Sequence, residues 1–216
     1  MDFQYFLQHV PLIATTVLPA RKAHAIMAPV ERLETIDGPE KSATPPKKAA
    51  VLMLFYPKKD QTHLVLIVRN TYKGVHSAQV AFPGGKYEYT DDDLSHTALR
   101  ETYEEVGVHP QDVELLKPFT PMYIPPSNFM VHPFLAIAKE ELQFIPDPSE
   151  VARIIELPLA VFLDESIVTC TQLSTSYGQD MVVPAFEIEN NMVWGATAMM
   201  LSELKEVLKT VYEVKR

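Results

Sequence analysis

GGKYEYTDDDLSHTALRETYEEVGV, residues 84–108, decides how the rest of the chain is read. On a helix from about Asp92 to Val106, turning about 100° per residue, Glu101, Glu104 and Glu105 stand at i, i+3 and i+4 within one narrow arc. Ala98, Leu99, Thr102 and Val106 fall on the neighbouring arc, which can face a core. Asp91, Asp92 and Asp93 crowd the helix start, where acids favour the dipole and cap. Gly107 follows in the usual terminating position. Like charges at this spacing destabilise a helix by roughly 0.2–0.5 kcal/mol per pair, so something should offset them. A solvated acidic face is one explanation of such a triplet. The flanks support another: Gly84-Gly85 lets the backbone approach a metal or phosphate closely. Hard oxygens converging on one point suit Mg²⁺ or Mn²⁺. Arg100 could orient one carboxylate through a charge-assisted hydrogen bond.

Upstream, AAVLMLFY (49–56) and THLVLIVRN (62–70) are strand-like runs joined by the hairpin connection PKKDQ, and a loop leads to QVAFPGG (79–85). Downstream, strands are expected at 113–123, 130–138, 181–188 and 192–194. A last helix over about 198–213 carries Leu201, Leu204, Val207, Leu208 and Val211 on one face. Strands and helices mix without a regular βαβ alternation, which predicts α+β with a mixed sheet. At the amino end, Phe3, Phe6, Leu7 and Val10 fall at helical spacing, so a short amphipathic helix ended by Pro11 is expected. Residues 38–48 are polar and proline-rich, a linker or exposed crossing. Residues 1–45 therefore read as a helical extension and linker, and 46–216 as the main domain. Simple packing on that domain, or on a second subunit, is preferred for the extension over a catalytic role.

The 216 residues, 47% hydrophobic and 22% charged, suffice for a sizeable core without staples. The single cysteine, Cys170, excludes an intramolecular disulfide and is expected to be a small buried apolar side chain. A net charge of −9 disfavours nucleic acid as a partner. An anionic small substrate would need local cations or a metal. Residues 10–18 are mildly apolar, but Arg21 and Lys22 follow them and no base precedes them, the reverse of a secretory signal. The run is too short to span a bilayer, so no membrane association and a cytoplasmic location are expected.

The central segment resembles the Nudix box, G-x5-E-x7-R-E-U-x-E-E-x-G-U, where U is a bulky apolar residue. Gly85 and Arg100-Glu101-Thr102-Tyr103-Glu104-Glu105-Val106-Gly107-Val108 supply the match, with Thr102 at a U position. Counting forward from Gly85 puts Asp91 in place of the first Glu; counting back from Arg100 gives Asp92. LIVRNTYKGVHSAQVAFPGG (66–85) is similar to the upstream motif of Nudix enzymes that hydrolyse coenzyme A, L-T-x-R-S/A-x3-R-x3-G-x3-F-P-G-G. Leu66, Arg69, Phe82, Pro83, Gly84 and Gly85 match; Ile67, Asn70, Gly74 and Ala78 depart, with Lys73 able to supply the displaced charge. YIPPSNFMVHPFLA (123–136) and VWGATAMML (193–201) also look like that subfamily.

The resemblance implies a Nudix α/β/α sandwich with a mixed sheet and a loop-helix site. It implies that Glu101, Glu104 and Glu105, with the Gly85 carbonyl, bind Mg²⁺ or Mn²⁺. Arg100 belongs to the catalytic set, and the general base is Glu104, Glu105 or the distal Glu150 of PDPSEVARI, itself equally readable as a helix-start acid. Arg69, Lys73, His76, Phe82 and Gly84 are the candidate substrate contacts. Tyr123, Phe129 and Trp194 could stack adenine or line a pantetheine channel, with ordinary core packing the alternative. The implied reaction is hydrolysis of coenzyme A or acyl-CoA to 3′,5′-ADP and 4′-phosphopantetheine or its acyl form. ADP-ribose, NADH or a dinucleoside polyphosphate is the second possibility, and a binding module without catalysis the third. The partner is a CoA-like small molecule, and a homodimer is possible.

Overall fold

A computed structural model describes residues 1–36, 44–70, 79–175 and 178–213. In chain order the elements are α1 (Phe3–Leu7), α2 (Val10–Thr15), α3 (Arg21–Ile26), β1 (Lys47–Lys58), β2 (Gln61–Arg69), β3 (Val80–Ala81) and β4 (Gly84–Lys86). Then come α4 (Leu94–Val106), β5 (Glu114–Pro118), β6 (Met122–Ile124), β7 (Phe129–Ile137), β8 (Val151–Pro158), α5 (Leu159–Leu163), β9 (Val168–Thr175), β10 (Gly178–Ile188), β11 (Asn191–Val193) and α6 (Gly195–Glu213).

β1 organises the main sheet, whose strand order is β3-β2-β1-β7-β5, with β4 on β1, β6 on β7 and β8 on β2. β1 and β7 are parallel, with Ala49 opposite Val131, while β1 meets β2 and β4 antiparallel; the sheet is mixed, as expected. A second antiparallel sheet has the order β11-β10-β9. The period-2 alternation of β1 divides the core. Ala50, Leu52, Leu54 and Tyr56 pack with Ala98 and Val106 of α4 on one face. Ala49, Met53 and Phe55 pack with Leu201, Leu204 and Leu208 of α6 on the other. The result is the α/β/α sandwich that the sequence implied.

The amino-terminal helices join the α6 face. Phe3, Phe6 and Ile13 enter that core, and the Phe6 ring lies 5.0 Å from that of Phe55. Pro11 does not end a helix. α1 stops at Leu7, and Pro11 sits in the first turn of α2, where its missing N–H is not needed. The expected strand 113–123 is broken in two, because α6 captures Thr120: its N–H and hydroxyl both donate to Glu203.

β8, α5 and β9 went unpredicted. In β8 the charged residues that hide the strand pattern are satisfied by β1 and by the turn after β10. Glu156 accepts from Tyr56 Oη at 2.6 Å and Lys58 Nζ at 2.7 Å, and Arg153 Nη1 donates to Glu189 at 2.7 Å. Cys170, expected to be buried, is exposed on β9, because that strand belongs to the small second sheet rather than the central core. Among the described residues no helix is long and apolar enough to cross a membrane.

Candidate active site

α4 is fixed at both ends by its sequence. Asp93 caps it, accepting from His96 N at 2.8 Å and Ser95 Oγ at 2.6 Å. Gly107 closes it in the left-handed conformation, φ 76°, and donates to Tyr103 O at 2.9 Å. Thr102, which stands where a bulky apolar residue was expected, is buried because its hydroxyl donates to Ala98 O at 2.7 Å and leaves its methyl to the core.

The choice between Asp91 and Asp92 falls to Asp91. Its carboxylate is 4% exposed and accepts from Arg100 Nε at 2.8 Å, Arg100 Nη2 at 3.1 Å, Thr97 Oγ1 at 2.8 Å and Glu88 N at 3.0 Å. The Arg100 bond is the main cause that holds this carboxyl well below the usual range, against the effect of burial. Asp92 is exposed, and its N–H donates to His96 Nδ1. Arg100 spends its remaining donors inside the site: Nη1 reaches Glu101 at 3.1 Å and Glu104 at 2.8 Å, and Nη2 reaches Lys86 O at 3.1 Å. Its own protonated form is reinforced by these carboxylates, Asp91 first.

The three box glutamates sit in different surroundings. Glu105 is 1% exposed; Oε2 accepts from Gly84 N at 2.8 Å and Oε1 from Arg69 Nη1 at 3.1 Å. Burial pushes its carboxyl up to about 7, against the opposing pull of Arg69 and Gly84 N. Glu101 lies against Gly85, and burial raises it too, partly countered by Arg100. Glu104 is about half exposed. A Cβ on Gly85 would overlap the Glu101 carboxylate, and one on Gly84 would run into Ala50 O and Val51 Cα. The glycine pair is therefore required by close approach on both sides.

Arg69, at the end of β2, bridges two acids: Nη1 to Glu105, and Nη2 at 3.8 Å from Glu150 Oε2. Glu150 is half exposed, on a turn that leads into β8 and not at a helix start. Asn70 ties this turn to β2, its N–H donating to Glu150 O and its Nδ2 to Pro148 O, both at 2.7 Å. That explains Asn where the subfamily motif has Ser or Ala. Lys73 and His76, together with Gly74 and Ala78, lie outside the described residues.

Beside Gly84, Gly85 and Arg69 opens a cleft of about 530 Å³ on the α6 face of the sheet. Ala49, Val51 and the buried Phe82 line its floor; Phe129, Trp194, Met199 and Met200 line its apolar reach. Tyr123 is buried instead, its hydroxyl donating to Asn128 Oδ1 at 3.1 Å. Pro29 and Arg32, from the amino-terminal segment, also line the cleft. The sequence signal was slight: one arginine between Pro29 and the apolar Ile36.

Among the described residues, no three Asp, Glu, His or Cys groups converge to hold a metal as they stand, because Arg100 draws Glu104 aside while Gly84 and Arg69 hold Glu105. The donor chemistry nevertheless fits a hard divalent cation. Three carboxylates rise from one turn of α4, and the missing side chain of Gly85 lets the Glu101 carboxylate lie directly against the loop backbone.

Residues 46–168 match the NUDIX domain family. The chain belongs to that family. The chain is 30% identical over 159 residues to peroxisomal coenzyme A diphosphatase NUDT7 of Mus musculus, covering 71% of this chain and 66% of that protein. It is 34% identical over 158 residues to the uncharacterized Nudix hydrolase NudL of an Enterobacter species, covering 73% and 81%. It is 32% identical over 164 residues to Nudix hydrolase 15, mitochondrial, of Arabidopsis thaliana, covering 72% and 56%. The alignments thus span about half to two thirds of the mouse and plant proteins. In fold it is similar to the Nudix hydrolase RenU of M. smegmatis, with TM-score 0.54, 16% identity, and 77% and 88% of the two chains covered. It is also similar to an Ap4A hydrolase of C. elegans, with TM-score 0.51, 14% identity, and 76% and 98% covered. Nudix hydrolases generally use divalent metals and act on nucleotide derivatives.

Proposed function

We propose that this Nudix hydrolase cleaves the diphosphate of coenzyme A or an acyl-CoA, releasing 3′,5′-ADP and 4′-phosphopantetheine or its acylated form. The observation that carries this is the shape of the cleft. It starts at Gly84, Gly85, Arg69 and Lys86, where a diphosphate would be neutralised, and extends along Ile124, Phe129, Met199 and Met200. A long neutral arm joined to a diphosphate matches that polarity. The upstream motif, and a mouse relative named as a coenzyme A diphosphatase, support the same substrate.

Glu101, Glu104 and Glu105, with the Gly85 carbonyl, would hold the cation. A divalent cation bound there supplies positive charge to the phosphoryl oxygens and makes water easier to deprotonate. Arg100, anchored by Asp91, positions Glu101 and Glu104. Glu105 spends both oxygens on Gly84 and Arg69, so it positions the loop and the arginine rather than collecting a proton. Of the two half-exposed acids, Glu104 is held by Arg100 at 2.8 Å, while the Glu150 carboxylate stands 3.8 Å from Arg69; Glu150 is the base in this proposal. Water attacks one phosphorus, Glu150 takes its proton, and the anhydride P–O bond breaks toward the other phosphate. A cytoplasmic site of action belongs to the same proposal.

The test is mass-spectrometric product analysis with coenzyme A, acetyl-CoA, ADP-ribose, NADH and diadenosine polyphosphate, with Mg²⁺ or Mn²⁺, using wild type beside Glu104→Gln. 3′,5′-ADP and phosphopantetheine from wild type alone are expected. Preferential cleavage of another nucleotide would overturn the substrate assignment.

A further inference from the structure

We propose that Asn70 is a positioning residue for the hydrolysis: its side chain fixes the turn that carries Glu150, and so sets where Glu150 meets the attacking water. This rests on the reading of Glu150 as the base and names what holds it in place.

The turn has little else to hold it. No side chain of residues 145–150 is buried, so packing does not fix this stretch and its hydrogen bonds must. Its start is docked on the end of α4, where Ile145 N donates to Val106 O at 2.9 Å and Asp147 N to Glu105 O at 3.0 Å. Gly107 permits this approach, since a Cβ there would stand 3.0–3.2 Å from Ile145. Within the turn, Asp147 Oδ1 accepts from Ser149 N and Ser149 Oγ, both at 2.7 Å. Asp147 O accepts from Glu150 N at 3.1 Å and Val151 N at 2.8 Å. These bonds shape the turn and tie its start to the helix that bears the three glutamates.

The far side of the turn, which carries Glu150, meets β2 at a bulge. Val68 stands opposite Arg153 and Arg69 opposite Val151, so Ala152 is an extra residue on β8. Beyond it, Asn70 N donates to Glu150 O at 2.7 Å. A single backbone bond at a strand end leaves the chain able to pivot about it. Asn70 Nδ2 adds a second bond, to Pro148 O at 2.7 Å, two residues before Glu150. Two bonds to two carbonyls of one turn remove the pivot. The Glu150 carboxylate is thereby kept 3.8 Å from Arg69 Nη2, while Nη1 of the same guanidinium reaches Glu105. Alanine at position 70 would keep the backbone bond and lose the second one.

The test is a double-mutant cycle. It measures kcat and KM for wild type, Asn70→Ala, Glu150→Gln and the double variant, with Mg²⁺ and coenzyme A, or with the nucleotide of the panel above that wild type cleaves fastest. Asn70→Ala is expected to lower kcat by about 5–50-fold, between the worth of one hydrogen bond and the roughly hundredfold cost of a misplacement of about 1 Å. KM should stay within about threefold, because neither Asn70 nor Pro148 is among the described residues that line the cleft. In the Glu150→Gln background the same substitution should lower kcat by less than about threefold, because no base remains for it to position. A loss of folded protein would lower kcat equally in both backgrounds, so the cycle separates positioning from stability. A loss below about fivefold in the wild-type background, or above about threefold in the Glu150→Gln background, overturns the role of Asn70 and leaves Glu150 as the base. If Glu150→Gln alone keeps kcat within about threefold of wild type, the base reading falls, and this inference with it.

Discussion

Arg100 grips Asp91 at two points, Nε to Oδ1 at 2.8 Å and Nη2 to Oδ2 at 3.1 Å, and the same guanidinium reaches Glu101 and Glu104. One end of this arrangement is buried and neutralised, while the other faces the candidate metal-binding carboxylates. Stability and chemistry are thereby coupled through a single side chain.

Removing Asp91 should therefore be severe. Asp91→Ala leaves a partly buried cation without its main partner, which costs about 3–5 kcal/mol for such pairs. Asp92→Ala, at an exposed position, should stay within about 0.5 kcal/mol. The acid limb adds a signature. The Asp91 carboxyl is held below its unfolded value by Arg100, so it stays ionised to lower pH in the folded chain than in the unfolded one. Its contribution is fully present above the ordinary aspartate range, about pH 4, and is lost as pH falls below it. Urea denaturation between pH 3 and 7 should show a flatter acid limb for Asp91→Asn than for wild type. Parallel limbs would refute the assignment.

The two glycines of the loop should fail in different ways. A Cβ at Gly85 meets only the end of the Glu101 side chain, which can move aside. Gly85→Ala should keep its thermal midpoint near wild type and lose about 10–100-fold in kcat/KM through displaced carboxylate geometry. A Cβ at Gly84 meets backbone, and φ there is +148°, so Gly84→Ala should destabilise by about 1–3 kcal/mol or more. Differential scanning fluorimetry beside kinetics separates the two; equal thermal losses would contradict this account.

Glu105 is a buried carboxyl that burial raises to about 7. Its charge therefore adds little to folding, and its value lies in the bonds to Gly84 and Arg69. Glu105→Gln should lose about 10²–10³-fold in kcat, typical of a polar group fixed near a reacting centre. Its thermal midpoint at pH 8 with chelator present should equal or exceed that of wild type. A large thermal loss would mean that the carboxylate is structural.

These residues show what the sequence could and could not disclose. The arc of Glu101, Glu104 and Glu105 and the stop at Gly107 were legible because helical periodicity and capping are local. The choice between Asp91 and Asp92 was not, since it depends on how the turn before Asp93 folds. β8 was hidden because Glu156 finds its partners on β1 and Arg153 finds Glu189 in the turn after β10, a tertiary fact. The place of Arg32 in the cleft likewise depends on α3 docking against α6. The burial expected of Cys170 followed residue type alone and failed because β9 lies outside the central sheet.

If Glu150 takes the proton from water, Glu150→Gln should lower kcat by about 10²–10⁴-fold, the range for general-base removal, with KM within about threefold. Its exposed position on the turn before β8 makes the change structurally mild, and Asn70 bonds the Glu150 backbone, not its side chain. A kcat within about threefold of wild type would move the base to Glu104.

The last expectation concerns how the amino-terminal segment is held. Glu203 of α6 is fully buried and accepts from Ala20 N at 3.0 Å, His24 Nε2 at 3.3 Å, Thr120 N at 3.2 Å and the Thr120 hydroxyl. These bonds outweigh its burial and hold the carboxyl below the usual range. One carboxylate thus joins the start of α3, the break between β5 and β6, and α6. Glu203→Ala strands buried donors on two segments and should cost about 3–5 kcal/mol. Hydrogen exchange at the Ala20 and Thr120 amides should accelerate together, because both lose the same acceptor. Since α3 leads directly to Pro29 and Arg32 in the cleft, the same variant should also raise KM more than it lowers kcat. Faster exchange at Thr120 alone would show that the carboxylate supports the strand break and not the docking of the extension.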